Sequence, residues 1–198
     1  MKEEVILVNE NDEFVGVEEK IKTHFIGALH RAFSIFILNT NDELLLQRRT
    51  RTKYHSGGLW SNTCCGHPRP GESLEDASHR RLREEMGFDC EMKEIFKFMY
   101  WVKLDTSLFE HEYDHVFLGR FDGDPLPDIS EAEDWKWMAL ETLQTDVREN
   151  SKQYTYWLRI CLDSVISLRS PAAGERPVQS ALSLLGMTNL EPLFKAPG

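Results

Sequence analysis

The chain has 198 residues, of which 41% are apolar and 28% are charged, and its net charge is −10. This composition is ordinary for a globular protein and excludes collagen-like repeats, a disulfide scaffold and long disordered tracts. The apolar run near the start, residues 5–8, is too short for a signal peptide, and no segment approaches the ~20 apolar residues that span a bilayer. We therefore expect a cytoplasmic domain that has no membrane partner.

The first predicted elements are strands, because short runs of apolar and β-branched residues alternate with turn residues. Residues 5–8 and 14–17 are predicted to form a hairpin. Residues 32–38 and 43–47 are predicted to form two core strands on either side of a tight turn. The second of these strands ends in a pair of arginines.

The middle of the chain changes from loop to helix. Residues 50–72 are rich in Gly and Pro and show no sustained periodicity, so we expect a loop. Ser73, followed three residues later by Asp76, is typical of a helix N-terminus, and Gly87 is typical of a helix end. The sequence therefore predicts a helix over residues 74–86.

The second half combines strands with helices. Apolar patterning predicts strands near 95–103, 112–121 and 135–138, and helices over 140–148 and 154–168. We expect a single domain over residues 1–169, followed by a linker and short tail of unknown role over 170–198. Any helix in this tail is expected near 178–185.

Positive charge is concentrated in one segment. Residues 48–83 carry a net charge of +5, so the remainder of the chain carries −15. Such a distribution suits a small anionic ligand in one cleft better than nucleic acid along a surface. A solvated basic face with ion pairs along a helix would produce the same charges. We expect a small anionic partner and no nucleic acid, and the sequence leaves open whether the chain is a monomer or a weak dimer.

The most specific pattern begins in the predicted loop and continues through the helix. It consists of Gly66, Glu72 and the run RRLREEMGF over 80–88. Carboxylates on one helix face can hold divalent cations, which in turn bind a diphosphate. The pattern resembles the Nudix signature at every defined position except Arg81, where Nudix hydrolases have a metal-binding Glu.

This resemblance implies an α/β (α+β) fold in which a mixed β-sheet packs between helices. The exception at position 81 is informative, because an arginine removes a metal ligand and adds a group that binds phosphate. The pattern therefore favours a scaffold that binds a diphosphate without hydrolysing it.

Three further strings resemble the type 1 isopentenyl-diphosphate isomerases, a branch of the Nudix superfamily. They are NTCCGHP over 62–68, EHE over 110–112 and KIKTHFIGALHRAFS over 20–34. The resemblance extends over about residues 3–168. It implies a metal-dependent enzyme that acts on a small diphosphate.

A metal site is indicated by the residues themselves and by the resemblance. Glu110 and Glu112 are two apart on a predicted strand, so they share a face, where carboxylates repel each other unless a cation or proton lies between them. Three imidazoles and two carboxylates suit Mn or Zn. The resemblance implies that the ligands are His24, His30, His67, Glu110 and Glu112. We expect Gly27 to supply the bend between the first two, and we expect His55, His79, His111 and His115 to be ordinary surface or core residues.

The resemblance also implies catalytic roles. Cys65 and Glu112 would exchange the two protons, Tyr100 would hydrogen-bond near them, and Trp157 would stabilise a developing carbocation through its π face. For Cys65 the alternative is a small buried hydrophobe, and for Trp157 it is a core residue on an amphipathic helix. The residues expected to contact the diphosphate are Lys20, Arg49, Lys53 and Arg81, with Glu85 holding a Mg ion.

The resemblance implies an isomerase that interconverts isopentenyl diphosphate and dimethylallyl diphosphate by a 1,3-allylic proton shift. The alternatives are a Nudix hydrolase of a nucleoside diphosphate derivative and a catalytically inactive diphosphate-binding module. Arg81, Cys65 and the Glu110/Glu112 pair disfavour the hydrolase. The intact acid, thiol and ligand positions disfavour the inactive module.

Overall fold

Nine β-strands and four α-helices make up the described part of the chain, residues 2–104 and 107–169 of a computed structural model. The strands are β1 (Glu4–Val8), β2 (Phe14–Glu19), β3 (His30–Leu38), β4 (Glu43–Arg49), β5 (Trp60–Ser61), β6 (Cys64–Gly66), β7 (Met92–Lys103), β8 (Phe109–Arg120) and β9 (Ala132–Ala139). The helices are α1 (Lys20–Ile26), α2 (Leu74–Met86), α3 (Leu140–Glu149) and α4 (Tyr156–Leu168). The tail predicted over 170–198, with its helix near 178–185, lies outside the described residues.

Most predicted elements are present. Helix α2 has the predicted bounds: the Ser73 hydroxyl accepts a 3.0 Å hydrogen bond from the Asp76 N–H, and the helix ends at Gly87. The hairpin of β1 and β2 is also confirmed. The prediction of a loop over 50–72 is corrected, because this segment contains β5 and β6. The short helix α1 was not predicted.

The nine strands form one mixed sheet. Strands β3 and β8 run parallel, in a register that begins at His30 opposite Glu112 and ends at Leu38 opposite Arg120. The other strand pairs are antiparallel, including β7 with β8 and β4 with β9. The predicted mixed sheet is therefore confirmed, and β3 lies at its centre with β6 and β8 among its neighbours.

Strands β3 and β4 separate directly after the turn that joins them, and residues 60–66 lie between them. Strand β5 pairs with β4, and β6 pairs with β3. Thr63 connects both strands, because its hydroxyl donates a 2.7 Å bond to the Leu45 carbonyl and accepts a 3.0 Å bond from the Ile37 N–H. This insertion brings Cys65 into the sheet.

The apolar core covers both faces of the sheet. Alternate side chains of a strand point to opposite faces. Phe33, Ile35 and Ile37 therefore pack with α2, whereas Phe36 and Leu38 pack with α3 and α4. The predicted packing of a sheet between helices is confirmed. Within the described ranges, no helix is long and apolar enough to cross a membrane.

Candidate active site

One cleft collects side chains from β6, β8, α2 and α4. The predicted site residues that line it are Lys20, Arg49, Lys53, Cys65, His67, Arg81, Glu85, Glu110, Glu112 and Trp157. The other predicted residues, His24, His30 and Tyr100, are buried and approach Glu110 or Glu112 from behind the cleft.

Strand β8 supplies the two carboxylates. Glu110 and Glu112 line the cleft because side chains two apart on a strand share a face. Between them, His111 turns away and pairs through Nδ1 with the Gly27 carbonyl at 2.9 Å. The expected shared face of the two glutamates is therefore present.

The turn between α1 and β3 sets the orientation of two histidines. Gly27 ends α1 with a φ of 68°, a left-handed conformation that favours glycine, so the expected bend is present. Nδ1–H of His24 donates to the Lys20 carbonyl at 2.7 Å, and Nδ1–H of His30 donates to the Ala28 carbonyl at 2.9 Å. Because a carbonyl can only accept, Nε2 of each neutral ring carries the lone pair that a metal would need.

Two groups of donor atoms could hold a cation. One comprises His24, His30, His67 and Glu112, the other comprises His24, His55 and Glu110, and the atoms of each group lie within 4.8 Å of one another. Nε2 of His24 and Oε2 of Glu110 are both buried without a hydrogen-bond partner in the described structure, and they are 3.5 Å apart. Two facing acceptors of this kind fit a divalent cation, which both can bind.

The electrostatics of the two glutamates differ. Burial and the neighbouring Glu112 raise the pKa of Glu110 well above its ordinary value. Burial also acts to raise the pKa of Glu112, but the neighbouring imidazoles of His30 and His67 outweigh it and hold that pKa well below the ordinary value. Burial lowers the pKa of His67 to about 3, so its ring is neutral, as coordination requires.

Asn62 organises the surroundings of Cys65. The thiol donates a 3.2 Å bond to Oδ1 of Asn62, and the side-chain amide of Asn62 donates to the carbonyls of Ile35 and Cys64 at 3.0 Å. Nε1–H of Trp157 donates to the same Oδ1 at 3.1 Å. Burial raises the pKa of Cys65, so the residue is present as the neutral thiol. Asn62 belongs to the NTCCGHP string, but nothing in that string indicates that one side chain bonds both Cys65 and Trp157.

The cationic side of the cleft is paired with carboxylates. Lys20 lies 3.2 Å from Glu3, and Arg81 forms ion pairs with Glu84, Glu85 and Glu131. Lys53 also forms an ion pair with Glu131, and the side-chain amide of Gln47 donates a hydrogen bond to Glu85. The Arg49 guanidinium lies 5.3 Å from the centre of the Trp157 ring. Four cations thus line the cleft, which an anion could enter.

Two residues at the cleft were not identified from the sequence. His55 was expected to be an ordinary histidine, but its Nε2 lies 3.0 Å from Oε1 of Glu110. Glu131 precedes β9 and pairs with both Lys53 and Arg81. No local pattern marks either residue, because each reaches the site from a turn-rich segment through a contact that is distant in sequence.

Comparison with known proteins identifies the family. The model of the NUDIX domain matches residues 28–158. Isopentenyl-diphosphate Delta-isomerase 2 of Aromatoleum aromaticum is 52% identical over 93% of this chain and 100% of its own length. The chain belongs to the isopentenyl-diphosphate Delta-isomerase family. Another family member, isopentenyl-diphosphate Delta-isomerase 2 of Photorhabdus laumondii, is 50% identical over 80% of this chain and 90% of its own length.

Solved structures support the fold of this isomerase family member. A protein from Deinococcus radiodurans superposes with a TM-score of 0.69 at 21% identity, covering 82% of this chain and 98% of its own. A MutT protein from Methanosarcina mazei superposes with a TM-score of 0.58 at 19% identity, covering 72% and 96%. At these identities the likeness concerns the Nudix fold alone, and the predicted fold class is confirmed.

Proposed function

We propose that the chain interconverts isopentenyl diphosphate and dimethylallyl diphosphate, with Cys65 and Glu112 as the two proton-exchanging groups. The observation that carries this proposal is that a thiol and a carboxylate line the same cleft from strands on opposite sides of β3. A 1,3-allylic shift needs an acid and a base at different faces of the substrate. Family membership supports the same reaction.

The proton balance of the reaction requires one donation and one removal. One residue donates a proton to the terminal methylene carbon of isopentenyl diphosphate, and the other removes a proton from the carbon next to CH2–O, which moves the double bond. In the reverse direction the two residues exchange roles. The neutral thiol of Cys65 can donate, and Glu112, which accepts a 2.7 Å hydrogen bond from Tyr100, is held in place to exchange its proton.

Trp157 would shelter the positive charge that develops at the tertiary carbon. Its ring lines the cleft while its Nε1–H is fixed by Ser61 and Asn62 at 3.0 and 3.1 Å. The π face of an indole attracts a cation, and a ring in this place also excludes water. Because the ring is both a core residue and a cleft residue, the two interpretations of Trp157 are compatible.

The four cations that line the cleft would hold the diphosphate. Lys20, Arg49, Lys53 and Arg81 would exchange their present partners for phosphate oxygens. Holding the charged end fixes the hydrocarbon between Cys65 and Glu112, so that binding energy distant from the alkene orients it.

The donors suit two kinds of divalent cation. Mn or Zn would be held by His24, His30, His67, Glu110 and Glu112, whose donor atoms belong to two groups that share His24. Mg would be held by Glu85 together with diphosphate oxygens. When bound, these cations would supply Lewis-acid charge that neutralises the buried carboxylates and the diphosphate. The proposal for the chain's own residues is that they bind, orient and protonate the substrate.

The test is incubation of the metal-supplemented protein with isopentenyl diphosphate in D2O, followed by NMR. We expect dimethylallyl diphosphate carrying deuterium from the wild type and from Cys90→Ala, a thiol variant outside the cleft. Cys65→Ala should lose roughly 10²–10⁴-fold in rate. Unchanged substrate from a folded, metal-loaded sample would contradict the proposal, and phosphate release from a nucleotide panel would then favour the hydrolase.

A further inference from the structure

His55 is a buried histidine that the proposed reaction does not use. It lies between β4 and β5, and only 6% of its surface is exposed. Its ring is tilted by 25° from that of His24, with ring centres 5.8 Å apart. It is nearly perpendicular to the rings of Tyr54 and Trp157, with ring centres 4.3 and 6.0 Å away. Three aromatic neighbours therefore fix the orientation of the imidazole.

Both nitrogens of this ring have polar neighbours. Nε2 lies 3.0 Å from Oε1 of Glu110, and Nδ1 lies 3.3 Å from the Ser56 hydroxyl. A hydroxyl can donate to Nδ1, which leaves the ring proton on Nε2, directed at the carboxylate. In this tautomer Nε2–H of His55 donates to Glu110 and Nδ1 accepts from Ser56, so both ring nitrogens have hydrogen-bond partners.

The two oxygens of Glu110 are in different situations. Oε1 meets His55, whereas Oε2 is buried with no hydrogen-bond partner in the described ranges and faces the equally unpartnered Nε2 of His24 at 3.5 Å. A carboxylate that turned about its last bond would exchange these oxygens. The contact with His55 opposes that rotation.

We propose that His55 is a positioning residue for a divalent cation: its Nε2–H holds Oε1 of Glu110 so that Oε2 and Nε2 of His24 present their lone pairs together. The inference rests on the proposed function only in assuming that this site binds a cation. Partners that orient a ligand from outside the coordination sphere typically contribute 10- to 100-fold to metal affinity. A direct ligand role would require the other tautomer, with Nε2 unprotonated.

The test measures metal affinity and uses no isopentenyl diphosphate. The full chain is stripped of metal and titrated with Zn²⁺ in competition with a chromogenic chelator. His55→Phe keeps an aromatic ring but removes the donor, and His55→Gln keeps an N–H donor at a similar distance. We expect about 10- to 100-fold weaker Zn²⁺ binding for His55→Phe and near-wild-type binding for His55→Gln. His79→Phe, at a histidine that pairs with Asp89 outside the cleft, is the matched control.

A Co²⁺-loaded sample separates positioning from ligation. At saturating Co²⁺ we expect the same visible absorption bands in wild type and His55→Phe, because the donor atoms around the ion are unchanged. Altered bands would overturn the inference in favour of a direct ligand. Wild-type affinity in His55→Phe, or equally weak binding in His55→Gln, would overturn it as well.

Folding and turnover are checked separately. If His55→Phe does not fold, His55→Ala replaces it, and the comparison with His55→Gln decides in the same way. A wild-type chain that binds no Zn²⁺ overturns the inference. A chain that binds Zn²⁺ with the expected variant effects but converts no isopentenyl diphosphate supports the inference and contradicts the proposed reaction.

Discussion

Tyr100 lies directly opposite Glu112 across β7 and β8, and its hydroxyl donates a 2.7 Å hydrogen bond to Oε2 of that carboxylate. The other oxygen of Glu112 faces Nε2 of His67 at 3.1 Å and of His30 at 3.6 Å. The carboxylate is therefore restrained from both sides, by a hydroxyl and by imidazoles, while it lines the cleft.

Replacing Tyr100 with Phe should slow turnover without unfolding the chain. The aromatic ring remains in the core, but one oxygen of Glu112 loses its donor. A hydrogen bond to a charged group contributes about 1.5–3 kcal/mol, so we expect kcat to fall about 10- to 100-fold. Steady-state kinetics and thermal unfolding check this. Tyr113→Phe removes a hydroxyl from the other face of β8 and should leave kcat unchanged, and an equal loss in both variants would contradict a specific role of Tyr100.

Arg81→Glu should weaken substrate binding. The variant removes a cation from the cleft and places a fourth carboxylate beside Glu84, Glu85 and Glu131. Because charge-assisted hydrogen bonds contribute about 1.5–3 kcal/mol, we expect KM for isopentenyl diphosphate to rise about 10- to 100-fold. Arg83→Glu, on the same helix but outside the cleft, is the control. An unchanged KM in Arg81→Glu would exclude Arg81 from diphosphate binding.

Ser73→Ala should destabilise the fold through α2. The variant removes the hydroxyl that accepts the Asp76 N–H at the start of this helix. Loss of such a cap costs about 1 kcal/mol in the free energy of unfolding, which urea titration can measure. Ser73→Thr keeps a hydroxyl and should be much closer to wild type. Equal stability of the Ala variant and the wild type would mean that the cap contributes nothing.

The stability of the metal-free protein should depend on pH through His67. Burial lowers its folded-state pKa to about 3, below the roughly 6.5 of an unfolded histidine. Between these values the unfolded chain binds the extra proton, so the contribution of His67 to stability is lost as pH falls, by about 1.4 kcal/mol per pH unit. As the pH is lowered from 6.5 towards 4, the free energy of unfolding of the wild type should therefore fall relative to that of His67→Gln. Urea titrations at several pH values check this, and a difference independent of pH would show that His67 titrates normally.

Local signals account for the elements that the sequence predicted well. The bounds of α2 follow from Ser73 and Gly87, which lie within the helix ends themselves. The shared face of Glu110 and Glu112 follows from the two-residue period of a strand. Both predictions depend only on residues that are close together in the sequence.

Contacts between distant segments account for what the sequence did not predict. Strands β5 and β6 have two and three residues, too few for a periodic pattern, and they form because Thr63 and Asn62 bond to the backbone of β3 and β4. His55 joins the site only because the chain after β4 folds back onto β8. Such placements depend on the assembled sheet.

The parallel pairing of β3 with β8 also sets the order in which the cleft can be completed. His30 and Glu112 are directly opposite in this register although 81 residues lie between them along the chain. Parallel pairs of this kind form slowly, because a long loop must close first. As the chain leaves the ribosome, the histidines and Cys65 emerge well before the two glutamates. A chain interrupted before β8 would therefore carry a thiol and imidazoles but neither Glu110 nor Glu112, so no product interrupted there holds both halves of the acid–base pair.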